Sequence, residues 1–441
     1  MSGISKATIL SYYVRTLLRR RWSSRSALEQ WQERRILRHV ARVREASPFY
    51  RDWWKGIRDE DWRSFPVIDK AIMMENFDRL NTVGIQRDEA MELALRAEHT
   101  RDFQPTLRGM TIGLSSGTSG SRGLFLVSPQ EQAAWTGTVL AKLLPRGVWR
   151  QERLAFFLRA NSNLYESVRS GRLQFEYFDL LEPLELHIER LQSYQAGVWI
   201  APPSMLRLLA DARRQGRLTA RPHRLIGVAE VLDPLDREVI EQAFAQPVHQ
   251  AYQCTEGFLG ATCSHGRLHL NEDVVHIERE YVDRQQRRFV PIVTDFSRFA
   301  QPIIRYRLND LLIEAERACP CGSPYVAIEQ IEGRCDDLLY FPAENGTMLR
   351  PVFPDFITRA VIGASPAIEH YHVIQHHPKS LELRLQVHPE SAEEEVRAQV
   401  GVALSRLLAR MGCCLPVIHY SPYMPMARGT KLRRVERRFP L

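Results

Sequence analysis

The chain has 441 residues, long enough for two or three domains with at least one large hydrophobic core. Its 44% hydrophobic and 25% charged residues are ordinary for a globular protein, and no segment approaches the roughly 20 apolar residues of a membrane span. No apolar signal segment precedes the early arginines at 19–21. We therefore expect a cytoplasmic protein without a membrane partner.

The net charge of +8 does not indicate nucleic-acid binding, because the basic residues are scattered along the chain. Only six of the 60 basic residues are lysines, a bias that reflects base composition rather than contacts with phosphates. We expect no nucleic-acid partner. The seven cysteines are odd in number and do not favour a disulfide framework.

The first 100 residues are predicted to be mostly helical. Apolar residues recur at helical spacing at Trp31, Ile36, Leu37 and Val40, and Ser47-Pro48 interrupts the pattern. From about 110 to 310, apolar strands alternate with helices, which is typical of an α/β domain. The clearest strands cover 154–158, 197–201 and 225–228, and the clearest helices cover 203–214 and 234–245.

The pattern changes after Gly333. The segments beyond it predict a small α+β unit from two alternating strands, a helix and a last strand, at 371–376, 380–387, 392–411 and 416–420. The sequence therefore predicts an α/β fold with a large N-terminal domain over residues 1–335 and a small C-terminal α+β domain over residues 336–441.

The segment from Ser115 to Gly123 carries the strongest functional signal. Its three glycines let backbone amides converge, its hydroxyls add donors and Arg122 adds positive charge, so the loop can bind an anion. The apolar run Leu124–Val127 follows directly and predicts a strand, whereas a Walker loop enters a helix. The alternative is a flexible surface linker.

Four further segments follow in order. Tyr252-Gln253-Cys254-Thr255-Glu256 offers an aromatic face for a base, a hydroxyl for a phosphate and a carboxylate for Mg²⁺. Arg305-Tyr306-Arg307-Leu308-Asn309-Asp310 ends in a carboxylate suited to a ribose diol. The other two are 333–337, at the change in composition, and 428–434.

In this order the segments resemble the motifs of the adenylate-forming superfamily, most closely its phenylacetate–CoA ligase-like branch. The resemblance extends over nearly the whole chain and includes Pro48-Phe49-Tyr50-Arg51. Each motif alone is weakly specific, whereas five in the same order are strongly specific. The resemblance implies a large adenylating domain with sheets flanked by helices and a small, mobile C-terminal domain.

The resemblance implies a nucleotide site. Tyr252 would stack on adenine with Glu230 beside it, and Asp310 would bind the ribose hydroxyls with help from Arg334. Thr255 would contact the α-phosphate, and Glu256 would ligate Mg²⁺. The loop residues that would hold the β- and γ-phosphates of ATP are Ser115, Ser116, Gly117, Thr118, Ser119, Gly120 and Arg122.

The resemblance also implies a hinge at Asp336 and a catalytic lysine at Lys431, which would bridge the substrate carboxylate and the α-phosphate. The carboxylate must approach the α-phosphorus while pyrophosphate leaves, so anions are brought together. Mg²⁺ on Glu256 and the ammonium of Lys431 would neutralise that charge. The alternative for Lys431 is a solvated tail residue.

Several positions depart from the family pattern. Ser121-Arg122 replace a lysine followed by proline, and Asn309 and Thr430 replace the glycines before the ribose-binding aspartate and the lysine. An Arg-Gly element of the thioester-forming state is missing after Asp336, where the chain reads LLYFPAENG over 338–346. The sequence therefore supports adenylation better than transfer to coenzyme A.

We expect an ATP-dependent, AMP-forming enzyme that activates a small carboxylic acid, with coenzyme A as the first choice of acceptor. An acyl carrier protein or an amine is the alternative acceptor, and a non-catalytic nucleotide-binding relative is the alternative of another class. A homodimer is left open. By resemblance, the acid would lie between Trp199–Ser204, 227–231 and Tyr252, edged by Asn161, Asn163 and Tyr165, and the sequence does not fix its identity.

A zinc site is predicted from Cys263, His269, Cys319 and Cys321. Three thiolates and one imidazole complete a closed tetrahedral shell, and Gly322 relieves the backbone where two sulfurs converge. Similar structural metals in relatives of this branch favour the site, with His265 as a substitute ligand and unpaired reduced cysteines as the alternative. The other cysteines, Cys254, Cys335, Cys413 and Cys414, are predicted to be packing residues.

Overall fold

The computed structural model describes most of the chain, in two compact units. The first unit comprises 1–230, 239–308 and 312–330, and the second comprises 231–238, 309–311 and 331–441. The division near Ile331 is close to the predicted domain boundary, whose role as a hinge stays a prediction. The described residues are 6–19, 22, 24–100, 102, 106–114, 123–144, 147–158, 172–334, 338–344, 348–425 and 433–439.

Helices dominate the first 100 residues. Ser47 ends one helix and begins the next, because its amide donates to the carbonyl of Val43 and its hydroxyl accepts from the amide of Tyr50. The helices are α1 (Lys6–Arg19), α2 (Arg25–Ala46), α3 (Pro48–Trp53), α4 (Lys70–Glu75), α5 (Phe77–Leu80) and α6 (Arg87–Thr100), with a 3-10 turn at Asp59–Ser64.

Buried aromatic residues anchor these helices to the rest of the first unit. Trp54 stacks on Phe65 with ring centroids 4.3 Å apart. Tyr50, within the Pro48–Arg51 motif, is fully buried, and its hydroxyl donates to the carbonyl of Pro302 at 3.0 Å. The helical segment therefore packs directly against the chain that leads into the Arg305–Asp310 motif.

A three-stranded antiparallel sheet frames the glycine-rich loop. Its strands are β1 (Thr106–Leu107), β2 (Met110–Leu114) and β3 (Leu124–Val127), in that order. Leu114 pairs with Leu124, so the loop joins two neighbouring antiparallel strands. The prediction that the loop leads into a strand is confirmed. Helix α7 (Pro129–Leu143) follows, and Ser128 and Glu131 form its capping box.

A twelve-stranded mixed sheet forms the centre of the fold. Its parallel part begins with β4 (Glu152–Leu158) and β5 (Leu173–Asp179) and continues through β6 (Val198–Ala201), β7 (Arg224–Gly227) and β8 (Val248–Cys254). Helices α8 (Leu184–Tyr194), α9 (Pro203–Arg214) and α10 (Pro234–Phe244) lie between these strands in the chain. The three predicted strands and two predicted helices of this region are present within a residue or two.

The remaining strands of this sheet are mostly antiparallel. They are β9 (Gly257–Thr262), β10 (Leu268–Leu270), β11 (Val275–Asp283), β12 (Arg288–Asp295), β13 (Ile303–Arg307), β14 (Asp310–Glu314) and β15 (Ala327–Arg334). The α/β fold class is confirmed, with a large sheet and helices in the connections.

The second unit has its own core. Its elements after β15 begin with a two-stranded ribbon of β16 (Leu339–Pro342) and β17 (Leu349–Val352), followed by α11 (Pro354–Ile362). The elements after these are β18 (Ile368–His377), β19 (Ser380–Val387), α12 (Glu393–Arg410), β20 (Val417–Pro422) and β21 (Val435–Arg437). The four last strands form one sheet in the order β20-β19-β18-β21. The two long strands, the helix and the strand near 416–420 agree with the sequence prediction, while β21 was not predicted.

A buried arginine fixes the start of β21. The Arg434 guanidinium donates to both carboxylate oxygens of Asp236, at 2.5 and 3.2 Å, and lies over the ring of Tyr371. The hydroxyl of Tyr371 in turn donates to Asp233 at 2.6 Å. Opposite charges and the aromatic face together compensate for burying the arginine.

No helix among the described residues combines the length and apolar character needed to cross a bilayer.

Replacing His39 with leucine is expected to make the protein less sensitive to acid. Burial lowers the pKa of His39 to about 3, and Arg42 and Arg35 add repulsion. The unfolded chain takes up this proton below about pH 6.5, so the wild type loses stability as pH falls from 6.5 toward 3, by roughly 3 kcal/mol at pH 4. Urea unfolding at pH 8 and at the lowest pH where both proteins fold measures the difference. The exposed His388, replaced in the same way, is the control, and an equal acid response in the His39→Leu protein would contradict the assignment.

Candidate functional site

Several predicted site residues lie outside the described part of the chain. For Arg334 the backbone lies in β15, and the side chain is not among those described. The predicted residues outside the described ranges are Ser115, Ser116, Gly117, Thr118, Ser119, Gly120, Arg122, Asn161, Asn163, Tyr165, Cys335, Asp336 and Lys431.

The β8–β9 hairpin carries the aromatic-hydroxyl-carboxylate motif. Tyr252 lies in β8, opposite Gly260 of β9, at a bulge in the ladder, and is largely buried. Cys254 pairs with Gly257, so Thr255 and Glu256 form the two-residue turn between the strands. Glycine is required on the second strand, because a Cβ at Gly260 would lie 2.9 Å from the carbonyl oxygen of His269. The turn therefore presents a hydroxyl and a carboxylate at the end of the hairpin.

A threonine hydroxyl and a buried tyrosine lie at the Glu256 carboxylate. Thr255 Oγ1 donates to Glu256 Oε2 at 2.8 Å, and the Tyr306 side chain lies beside the same carboxylate. Burial raises the pKa of Tyr306, and the neighbouring carboxylate raises it further, so the phenol keeps its proton. The carboxylate is thus oriented before any cation is bound.

Glu230 and its neighbour connect two segments that the sequence assigned to the acid pocket. Glu230 Oε2 accepts from the backbone amide of Ser204 at 3.1 Å, at the start of α9. Ala229 has φ of +67°, a left-handed conformation that costs a non-glycine residue about 1–2 kcal/mol. Strain of this kind is characteristic of functional loops. Trp199, in contrast, is a core residue: it is fully buried against Phe244 and its indole donates to the carbonyl of Ala196.

Asp310 is the first residue of β14 and belongs to the second compact unit, whereas Tyr252, Thr255 and Glu256 belong to the first. It is half-buried. The ribose role of Asp310 therefore stays a prediction.

The structure brings Cys263, His269, Cys319 and Cys321 together. Their ligand atoms all lie within 4.8 Å of one another, with 3.7 Å between the sulfurs of Cys263 and Cys319 and 3.4 Å between Cys321 Sγ and His269 Nε2. The β9–β10 hairpin supplies the first pair. The second pair lies on a turn closed by the amide of Gly322, whose φ is +71°.

The surroundings of His269 orient its ring and keep it neutral. Its Nδ1 donates to the carbonyl of Tyr325 at 3.1 Å, which turns Nε2 toward the sulfurs. Burial lowers the pKa of His269, so the ring is neutral near pH 7 and Nε2 has a free lone pair. The substitute ligand His265 is not part of this cluster. Of the cysteines predicted to pack, Cys413 is buried, whereas Cys414 is exposed, which corrects that prediction.

Sequence reasoning missed the side chains that hold the Thr255–Glu256 turn. Tyr306 was quoted as part of a motif but given no role, and Arg298 was not considered. Arg298 donates to the carbonyl of Thr255 at 3.1 Å. In a chain with so many arginines, only the fold distinguishes this one.

Comparisons of sequence and of structure both find coenzyme A ligases. None of the known protein-family models matches the chain. The phenylacetate-coenzyme A ligase of Thermus thermophilus is 28% identical, with 93% of this chain and 96% of that protein aligned. A crystal structure of 2-hydroxyisobutyryl-CoA ligase in the postadenylation state, with 2-HIB-AMP, is similar with a TM-score of 0.70 and 19% identity, covering 94% of this chain and 89% of that one.

The same ligase is also similar in a second state. Its structure with 2-HIB-AMP and CoA in the thioesterification state gives a TM-score of 0.55 at 19% identity, covering 92% of this chain and 89% of that one. At these identities the solved structures establish the fold. The likeness extends over both compact units, since nearly the whole chain is covered.

Proposed function

We propose, from the membership of this chain in the adenylate-forming superfamily, that it activates a carboxylic acid with ATP and transfers the acyl group to coenzyme A. The observation that carries the proposal is the β8–β9 turn, where the Thr255 hydroxyl holds the Glu256 carboxylate and Tyr306 lies beside it. A relative of nearly the same length, named for ligation of phenylacetate to coenzyme A, supports the same chemistry.

In the first half-reaction, an oxygen of the substrate carboxylate attacks the α-phosphorus of ATP, and the bond to pyrophosphate breaks. Tyr252 would contact the adenine, Thr255 the α-phosphate, and Asp310 with Arg334 the ribose. The oriented oxygens of Glu256 suit a hard cation, and Mg²⁺ bound there would neutralise charge on the phosphates. Lys431 would stabilise the attacking carboxylate and the α-phosphate, and the loop 115–123 would hold the leaving pyrophosphate.

Coenzyme A is proposed as the acceptor. The ligase of similar fold that was solved with CoA supports this choice, although the Arg-Gly element is missing here. Asp336 would be the hinge of the domain rotation that exposes the acyl-adenylate to the thiol. A cytoplasmic location would suit these substrates.

We also propose that the Cys263 cluster binds a structural Zn²⁺. Zinc bonds of about 2.3 Å to sulfur and about 2.0 Å to nitrogen, at tetrahedral angles, place two sulfurs about 3.8 Å apart and a sulfur and a nitrogen about 3.5 Å apart. The distances of 3.7 and 3.4 Å fit these values. Four protein ligands leave no open position, so the ion would join the β9–β10 hairpin to the 319–322 turn rather than take part in the reaction.

The test is acid-dependent release of pyrophosphate from ATP and Mg²⁺, across a panel of aryl and aliphatic acids, followed by detection of the coenzyme A thioester. We expect release with a subset of acids and a thioester only when coenzyme A is added. The matched blanks omit the acid or the nucleotide. ATP binding without turnover for any acid would contradict the proposal and favour a non-catalytic relative.

A further inference from the structure

Side chains form hydrogen bonds with the backbone along the free edge of β3. β3 lies at one end of its sheet, and the amide of Leu126 donates to Gln301 Oε1 at 2.8 Å. Gln301 Nε2 donates back to the carbonyl of Leu124 at 3.1 Å, and Arg298 donates to the carbonyl of Leu126 at 2.9 Å. The segment 298–301 thus supplies the hydrogen bonds that a neighbouring strand would normally provide.

A buried glutamate holds this segment in place. Glu131 Oε1 accepts from the backbone amides of Phe299 and Ala300, and Oε2 accepts from the amide of Ser128 just after β3. One carboxylate therefore binds both the end of β3 and the segment beside it. Charge-assisted hydrogen bonds of this kind are stronger than neutral ones, so the arrangement is rigid.

Arg298 connects β3 to the β8–β9 turn. Arg298 is only 9% exposed. One of its terminal nitrogens donates to the carbonyl of Leu126 in β3, and the other donates to the carbonyl of Thr255. The buried Tyr306 side chain lies beside the neighbouring Glu256 carboxylate. Arg298 therefore holds the turn through its backbone, and Tyr306 lies beside the carboxylate of the turn.

We propose that Arg298 and Tyr306 are positioning residues for adenylation, which fix Thr255 and Glu256 relative to the strand that leaves the phosphate-binding loop. This role rests on the proposed function. Neither side chain is assigned a contact with substrate. Their effect is to fix the hydroxyl and the carboxylate before nucleotide and cation bind, so that no reorganisation is required during the reaction.

Arginine suits this position because its planar fork donates in two directions at once. A lysine keeps the charge but cannot bind two carbonyls in separate segments with the same geometry. Arg298→Lys should therefore release the turn while leaving a cation in place, and Tyr306→Phe removes one hydroxyl with little change in volume. Both changes should impair the reaction with Mg²⁺ and ATP, while the protein still folds.

The experiment measures pyrophosphate release by the full-length wild type, Arg298→Lys and Tyr306→Phe, with ATP, Mg²⁺ and an accepted acid. We expect kcat to fall by about 10- to 100-fold in each variant, the size seen when reacting groups are slightly misplaced. The Mg²⁺ concentration for half-maximal rate should rise roughly ten-fold, because Glu256 is no longer held, while the KM for the acid stays within about two-fold. Thermal unfolding of each protein reports whether it is folded at the assay temperature.

Arg213→Lys is the matched control. Arg213 lies in the same unit and also donates to two carbonyls of separate segments, those of Ala243 and Ala220, away from the motifs. Its kcat and Mg²⁺ requirement should be unchanged. If Arg298→Lys is unfolded, Tyr306→Phe decides, and an unaltered kcat and Mg²⁺ requirement there overturns the role. Absence of acid-dependent release in the wild type itself refutes the proposed function, and this role with it.

Discussion

Lys431→Ala is expected to lower acid-dependent pyrophosphate release by roughly two to three orders of magnitude, the usual effect of removing one preorganised group that stabilises transition-state charge. The reaction forces a carboxylate toward a triphosphate, and the ammonium offsets negative charge that grows on the oxygens at phosphorus. Alanine leaves the anions to repel each other. The measurement is initial rate at saturating ATP, Mg²⁺ and acid, with ATP binding determined separately.

The matched control is Lys379→Ala, since Lys379 is an exposed lysine of the same unit, in the turn between β18 and β19. It should release pyrophosphate at the wild-type rate. The Lys431→Ala protein should still form thioester from chemically prepared acyl-adenylate and coenzyme A, because the lysine acts before that step. Full pyrophosphate release by this variant would show that Lys431 has no catalytic role.

The regular elements were predictable where a residue's environment follows from its neighbours in the chain. Helix α9 was predicted with its observed limits, because Pro203 suits a first helical turn and apolar residues recur on one face through Ala212. β21 was missed for the opposite reason. It has three residues, of which only Val435 is buried, and it exists through parallel pairing with the distant β18. Pairing of that kind leaves no local signal.

The candidate site divides in the same way. Thr255, Glu256 and the cysteine cluster could be proposed because hydroxyl, carboxylate and thiol groups at short spacing are chemically distinctive. Arg298 and Gln301 could not, since each acts by hydrogen bonding to the backbone of strands far away in the chain. Trp199 shows the limit from the other side. The resemblance placed its segment beside the acid pocket, whereas the fold buries the Trp199 ring against Phe244.

Cys319→Ser is expected to abolish stoichiometric zinc binding and to destabilise the first unit by more than about 4 kcal/mol, in the range typical of losing a structural metal. Serine is a poor zinc ligand, and three donors no longer close the shell. The β9–β10 hairpin, which begins with Gly257 directly after Glu256, then loses its attachment to the 319–322 turn. Metal content per chain and the melting temperature check this, with a fall of at least about 6 °C expected for a unit of this size.

Cys414→Ser provides the control, because Cys414 is an exposed cysteine outside the cluster. It should keep one zinc per chain and the wild-type melting temperature. A chelator should lower the melting temperature of the wild type and of Cys414→Ser, and leave that of Cys319→Ser unchanged. Purified wild type without zinc, and with a melting temperature that neither added zinc nor chelator alters, would instead identify the four residues as a reduced thiol cluster. Hydrogen bonds and packing alone would then hold the β9–β10 hairpin, and with it Glu256, in place for adenylation.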